Sequence, residues 1–279
     1  LLIWNRDWEN WKEIMSVAPL GKEIPPLTRP RPGHADLAGV IKYSLEDIRP
    51  ILERASARDT AARVAAGAVA RRFVEQFDIK IQSHTLAIGG KGANPQEVID
   101  WQQVEKSPVR CADPEAEKAM IAAIDKAIAT QDTVGGVFEI IATGVPIGLG
   151  SHAHWDRRLD GRIAQAMMSI NSVKGVEIGG GFGLANLRGS QAHDIIEVSD
   201  RPPYPWRHAT NRAGGIEGGI SNGEPIVVRA VVKPVPTLGK PLPSVDIATK
   251  ATVQAHFERS DVCIVPAAGV IGEGILAIV

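Results

Sequence analysis

The stretch VGGVFEIIATGVPIGLG, residues 134–150, decides the fold. It is a long apolar run, bounded by glycines and rich in β-branched and aromatic side chains, and it reads as strand. Beyond it, SHAHWDRRLDGRIAQAMMSINSVKGVEIGGGFG (151–183) opens as loop, runs as helix from about residue 156 to 169 and returns to strand at residues 173–178. PIVVRAVVKPVPT (225–237) is a further strand that breaks into a proline-rich turn. On the N-terminal side, PEAEKAMIAAIDKAIAT (114–130) is an amphipathic helix expected to turn Met120, Ile121, Ile124 and Ile128 inward. Before it, IKIQSHTLAIGG (79–90) alternates Ile79, Ile81 and Ser83 with polar neighbours and reads as a half-buried strand, with His84 expected on its surface rather than as a ligand. Strands and helices do not alternate in strict βαβ units. The expected class is therefore α+β, with antiparallel sheets sandwiched with helices.

Further out, residues 56–77 form the clearest helix, with Ala61, Val64, Ala65, Ala68 and Phe73 spaced to face a sheet. Residues 1–4 read as the end of a strand, and WENWKEIM (8–15) as a short helix with Trp8, Trp11 and Met15 on one face. No internal repeat of convincing length is present.

A chain of 279 residues can bury a substantial core, and residues 1–279 are expected to form a single domain. Lys and Arg (31) nearly balance Asp and Glu (32), for a net charge of -1. That excludes a global basic field for nucleic acid and a polybasic membrane patch, so any anionic ligand must be held by local arginines. Cys111 and Cys263 lie far apart in a chain that needs no staples, which points to idle thiols in a reduced, cytoplasmic protein. The opening LLIWNRDWENW has too few apolar residues for a signal peptide or a membrane span. Both ends look cut, with no initiator methionine and an apolar finish that lacks a cap, so the sequence is expected to be a fragment.

The chemistry concentrates in residues 29–67. Pro30 and Pro32 stiffen a loop that should project Arg29 and Arg31 ahead of Gly33 and His34. Farther on, Ser56 can cap a helix and Asp59 can sit in its first turn, beside Arg54 and Arg58. A helix N-terminus between arginines suits a phosphate, and a solvated loop with an ordinary capped helix fits the same residues. Glycine clusters at 89–92, 179–183 and 214–219 match neither G-x-G-x-x-G nor a P-loop, but AGGIEGGISNG (213–223) can lie flat against a planar ligand. His152 and His154 with Asp156 and Asp160 lack the further spacing-fixed ligands of a metal site. Residues 191–194 read as a polar turn rather than a catalytic pair, and no G-x-S-x-G elbow is present. Asp261 reads as an ion-pair partner of Arg259 or as a perturbed base.

Eight segments in order, RPGHAD (31–36), RASARDTAARVAAGAVA (54–70), DRRLDGRIAQAMMSINSVKGVEIG (156–179), GSQAHD (189–194), TNRAGGIEGGISNGEPI (210–226), VVKPVPTL (231–238), SVD (244–246) and RSDVCIVPAAGVIGE (259–273), closely resemble chorismate synthases. The resemblance implies that family's β-α-β sandwich and its reaction, a 1,4-anti elimination of phosphate from 5-enolpyruvylshikimate 3-phosphate to chorismate. It also implies reduced FMN without net redox, an association with NADP, and a homotetramer. By the same resemblance, His34 stands near the flavin and Asp261 assists removal of the C6 proton. Arg31 and Arg58 bind substrate. Arg54, Ala55, Ser56, Asn171, Ser172, Gly218, Lys233, Pro234, Val235, Pro236, Thr237 and Arg259 hold the flavin. The family's G-E-S-H-G segment, with a second histidine, is absent from this sequence, and Gly180 stands where a bulkier or acidic residue is frequent. The 279 residues alone are accordingly expected to be inactive. A non-catalytic flavin or phosphometabolite binder of the same fold is the competing class, and would be expected to lose His34 or Asp261. A structural subunit of a larger assembly would leave the clustering of Arg31, His34, Arg54 and Arg58 unexplained.

Overall fold

The computed structural model describes residues 1–6, 8–13, 16–18, 24–55, 58–93, 98–200 and 204–279, with the backbone alone at Arg58. In chain order the elements are helices α1 (Trp8–Trp11), α2 (Asp36–Tyr43), α3 (Arg49–Arg54) and α4 (Arg58–Val74), then strands β1 (Lys80–Ile88) and β2 (Lys91–Gly92). Helices α5 (Trp101–Lys106) and α6 (Pro114–Ala129) lead to strand β3 (Gly136–Thr143), helix α7 (Leu159–Met168), strand β4 (Val173–Ile178) and the single turn α8 (Gly189–Ala192). Strands β5 (Ile196–Val198), β6 (Trp206–His208), β7 (Ile216–Glu217), β8 (Ile220–Ser221), β9 (Ile226–Val232), β10 (Pro243–Val245) and β11 (Thr252–Gln254) precede the last helix, α9 (Val265–Ile278).

These elements pack as two compact units, one of Leu1–Ser56 with Pro241–Glu258 and one of Ala57–Lys240 with Arg259–Val279. The first unit is discontinuous, and its second piece interrupts the chain without the change of composition that marks a linker. In that unit α2 packs on α3, and the β10–β11 hairpin bonds to the loop before them, with Ile247 N on Thr28 O and Ser244 on Pro30 O. The strand expected at residues 1–4 is exposed coil, since no strand among the described residues pairs with it. Met15 lies outside the described residues.

The second unit is built on a five-stranded sheet of order β2-β1-β3-β9-β4 in which every pairing is antiparallel. The α+β expectation holds. Alternation sets its faces. Phe138, Ile140 and Ala142 of β3 sit opposite Ala230, Val228 and Ile226 of β9, and all six are buried. Burying each of the larger side chains contributes about 1.5–3 kcal/mol.

Helix α9 covers this face, and its apolar residues run all the way round, as a central helix requires. Gly269 and Gly272 let it approach: a Cβ at Gly272 would lie 2.5 Å from the Ile140 side chain, and one at Gly269 would lie 3.0 Å from Ser83. Gly274 points the other way, and there α4 crosses so closely that a Cβ on Gly67 would lie 2.5 Å from the Gly274 backbone. Sheet, α9 and α4 are thus successive layers. The face of α4 differs from the expected one: Ala61, Ala68 and Phe73 are exposed, and Gly67, Ala70 and Val74 turn inward. Backbone approach at a glycine, rather than side-chain size, chose the face. Ile128 of α6 is likewise exposed, while Met120 is fully buried.

On the opposite face of the sheet four charged side chains stand in register across four strands: His84, Glu139, Arg229 and Glu177. His84 Nε2 lies 3.0 Å from Glu139 Oε1, and Arg229 lies 3.3 Å from Glu139 and 3.8 Å from Glu177. His84 is therefore a buried member of an alternating ladder, with the Trp101 ring edge-on to it at 5.8 Å, and not the surface residue expected. Trp101 and Glu139 cover the imidazole there, which outweighs its polarity.

Candidate active site

The tightest constellation in the first unit surrounds Asp36, the first residue of α2, which has no exposed surface. Gly33 takes φ +77, a left-handed turn that folds the loop back so that Arg31 and His34 meet the helix start. The Asp36 carboxylate accepts from Arg31 N at 3.1 Å, Arg31 Nε at 2.9 Å and Arg31 Nη2 at 3.3 Å. Its Oδ1 lies 2.5 Å from His34 Nδ1. A ring-nitrogen lone pair would be repelled by a carboxylate oxygen at that separation, so the proton belongs on Nδ1, which donates to Asp36. Burial pushes the Asp36 carboxyl up, but the hydrogen bonds from His34 and then Arg31 outweigh it and hold the group well below the usual carboxylate range.

Arg31 was expected to project from the loop. It is instead buried, with Nη1 3.6 Å from Glu258 and Nη2 within 3.3 Å of both His34 ring nitrogens. Two acidic groups draw the guanidinium inward. Glu258 also lies 3.5 Å from His256, whose backbone N–H donates to Arg29 O. The second piece of the unit thus braces the proline-rich loop, helped by Ser244 on Pro30 O and by Thr28 on Asp246 at 2.8 Å. Arg54 ends α3 and Ala55 caps it, whereas the sequence placed both at a helix start. Ser56 lies outside the described residues. In the second unit α4 begins at Arg58 with Asp59 in its first turn.

Other residues singled out in the sequence gather at one end of the sheet in the second unit. Ser172 adopts φ +68 in the turn that enters β4, and its carbonyl accepts from Lys233 N at 2.9 Å. Val235 O accepts from Thr133, and Thr237 O from Ser260 at 3.1 Å. Val134 N donates to Val262 O at 3.0 Å, which draws the Arg259–Asp261 segment to the same end. Asn171, Ser172, the 233–237 run and Asp261 are therefore tied together by backbone bonds. Burial and then the neighbouring Lys174 cation push Lys233 down. Asp261 is exposed, and among the described residues no cation lies within ion-pair distance of it, so the expected pair with Arg259 does not form.

Gly218 stands elsewhere. The carbonyl of Gly219 accepts from Leu159 N at the start of α7, whereas Asn171 follows the end of that helix. A ten-residue helix puts roughly 15 Å between them. Gly218 itself has φ +59, and a Cβ there would meet nothing within 4 Å, so its backbone is open to a flat ligand. The glycine loop is held by Asp194, whose carboxylate accepts from Thr210 and from the backbone of Arg212 and Ala213 at 2.8 Å. Burial raises this carboxyl, and those hydrogen bonds bring it below its ordinary value. The polar turn at 191–194 thus serves as an anchor.

Asp36, Asp194, Glu258 and Glu273 are the groups that sequence reasoning missed. Asp36 was within reach, two residues from His34 in the same motif. Glu273 had one signal, a lone carboxylate in a glycine-rich apolar run. His152 and His154 are exposed, and among the described residues no group of three or more His, Cys, Asp or Glu is placed to hold a metal. Cys111 and Cys263 are unbridged, each pushed up by burial.

The fold is that of a mixed helix and antiparallel-sheet protein. The profile of the chorismate synthase family matches residues 1–279, across both units. A chorismate synthase of Moorella thermoacetica is 57% identical over 280 residues, covering 99% of this chain and 72% of that protein. That of Aquifex aeolicus is 53% identical over 293 residues, covering 100% and 73%, and that of Bacillus subtilis 50% over 286, covering 99% and 73%. A crystal structure of chorismate synthase superposes with a TM-score of 0.74 at 45% identity, over 88% of this chain and 68% of that one. The chain belongs to the chorismate synthase family and is a carbon–oxygen lyase by that membership.

Proposed function

We propose that this chain forms the reaction centre of a chorismate synthase, which eliminates phosphate from 5-enolpyruvylshikimate 3-phosphate in a 1,4-anti sense and uses reduced FMN without net redox. The observation that carries the reading is the imidazole of His34 in a motif shared with the family, oriented by a buried carboxylate beside a buried arginine. Departure of phosphate from an allylic carbon needs cations, and Arg31 and Arg58 are the assigned substrate contacts. His34 Nδ1 is committed to Asp36, so Nε2 is the atom through which the ring would exchange a proton. The Asp261 carboxylate, exposed and without a cation partner among the described residues, is suited to accept the C6 proton.

The residues present fit a flavin on two counts, the Lys174 and Lys233 side chains at the sheet end for its phosphate and, roughly 15 Å away, the open backbone at Gly218 for its flat ring. Arg54, Ala55, Ser56, Asn171, Ser172, Gly218, the 233–237 run and Arg259 would hold it. Bound there, reduced FMN supplies the electron density that lets the C–O bond break. The same reading carries NADP as an associated nucleotide, a homotetramer and a cytoplasmic location. No helix among the described residues is long and apolar enough to cross a membrane. An anaerobic assay of the full-length protein with the enolpyruvyl substrate and reduced FMN, following chorismate absorbance, tests the function. Turnover that falls at least 100-fold in His34→Ala and Asp261→Ala supports it. Absence of turnover in the unmodified protein overturns it.

A further inference from the structure

We propose that Asp36 is the positioning residue of this site: it holds His34 as the Nδ1–H tautomer and fixes the ring, so that Nε2, 3.3 Å from Arg31 Nη2, is the nitrogen that exchanges a proton. The inference deepens the proposed function and rests on its placement of His34 at the reaction. Three observations carry it. Asp36 is wholly buried, so its carboxylate cannot exchange these partners for water. Oδ1 is 2.5 Å from Nδ1, which admits only a donated proton. Arg31 occupies the remaining acceptor positions through Nε, Nη2 and its own backbone N–H.

Each partner does a separate job. The carboxylate stabilises any positive charge that develops on the imidazole, as the aspartate of a hydrolase triad does for its histidine. The guanidinium stands 3.3 Å from Nε2. Glu258 faces Arg31 at 3.6 Å, and His256 faces Glu258 at 3.5 Å. In the order His34, Asp36, Arg31, Glu258 and His256 these groups therefore form one polar chain, whose fully buried member is Asp36.

The test uses the full-length protein and two readouts. Long-range proton–nitrogen NMR of the His34 ring, assigned by its loss in His34→Gln and recorded where the ring is neutral, reports which nitrogen carries the proton. Unmodified protein is expected to show Nδ1–H, and Asp36→Asn, which keeps shape but can turn its NH2 toward the ring, to show a large Nε2–H population. In the elimination assay Asp36→Asn should lower kcat by about 10- to 100-fold with a smaller change in KM. Asp36→Glu should recover part of both signals. A wild-type ring protonated on Nε2, or an Asp36→Asn variant with unchanged tautomer and kcat, would overturn the proposal. Because the tautomer is read without turnover, loss of the chorismate synthase reading and loss of the positioning role give different results.

Discussion

Asp36 and Glu273 are both carboxylates taken out of water, one in each unit, and their surroundings differ in one decisive group. Glu273 accepts from Ser83 N at 2.8 Å and Ser83 Oγ at 2.6 Å, and lies 2.5 Å from Arg71 and 3.4 Å from Arg110. Its partners come from α4, β1 and the turn after α5, so one side chain of α9 pins three separate pieces of chain. Asp36 has arginine and backbone donors too, but its remaining partner is an imidazole, whose second nitrogen faces Arg31 Nη2 rather than the carboxylate. A buried carboxylate whose partners are all fixed donors locks a fold. One whose partner can itself titrate can pass a constraint on to chemistry.

The comparison breaks most visibly at Glu273. Glu273→Gln removes the charge facing two arginines and should cost about 3–5 kcal/mol. Thermal denaturation should then show a midpoint lower by about 10 °C. Asp36 should reveal itself through pH. Its folded-state value is depressed, so the stability it confers is complete above the unfolded carboxyl value of about 4 and is lost as pH falls through the folded value. Urea midpoints measured from pH 7 downward should show Asp36→Asn less stable by about 2–3 kcal/mol at neutral pH, with the gap closing in acid. An unchanged gap would separate Asp36 from His34 and Arg31.

Gly67→Ala sharpens the fold side of the comparison. It pushes a methyl group into the Gly274 backbone and should cost about 1–3 kcal/mol by denaturant titration. Asp113→Ala is the smallest change. Asp113 caps α6 through bonds to Glu115 N at 2.9 Å and Ala116 N at 3.2 Å, and its loss should cost about 1 kcal/mol with no effect outside that helix.

Local pattern accounts for what could be read in advance. Alternation placed β4 at residues 173–178, and the absence of strict βαβ order gave the antiparallel class. Pattern failed where distant chain decides. Helix α4 carries alanines on every side, so its spacing could not choose a face, and the choice came from a glycine meeting another glycine 207 residues later. The partners of Glu273 are 163 to 202 residues away, beyond any window of periodicity. Arg31 was read as projecting because proline geometry is local, while the groups that draw it inward include Glu258 from the far end of the unit. Around His34 the motif was legible as chemistry. The direction of its proton was not, because that depends on which ring nitrogen meets Asp36.

The most direct test places the two regions side by side in the full-length protein, measuring kcat per folded molecule and thermal midpoint for His34→Ala and Glu273→Gln. The expected result is a crossed pattern: His34→Ala loses at least 100-fold in kcat with a midpoint lower by only about 2–4 °C, because Asp36 keeps Arg31, and Glu273→Gln loses about 10 °C with kcat within twofold of the unmodified protein. A His34→Ala protein that turns over normally, or a Glu273→Gln protein that melts normally but has lost its chemistry, would contradict the division of labour between the two buried carboxylates.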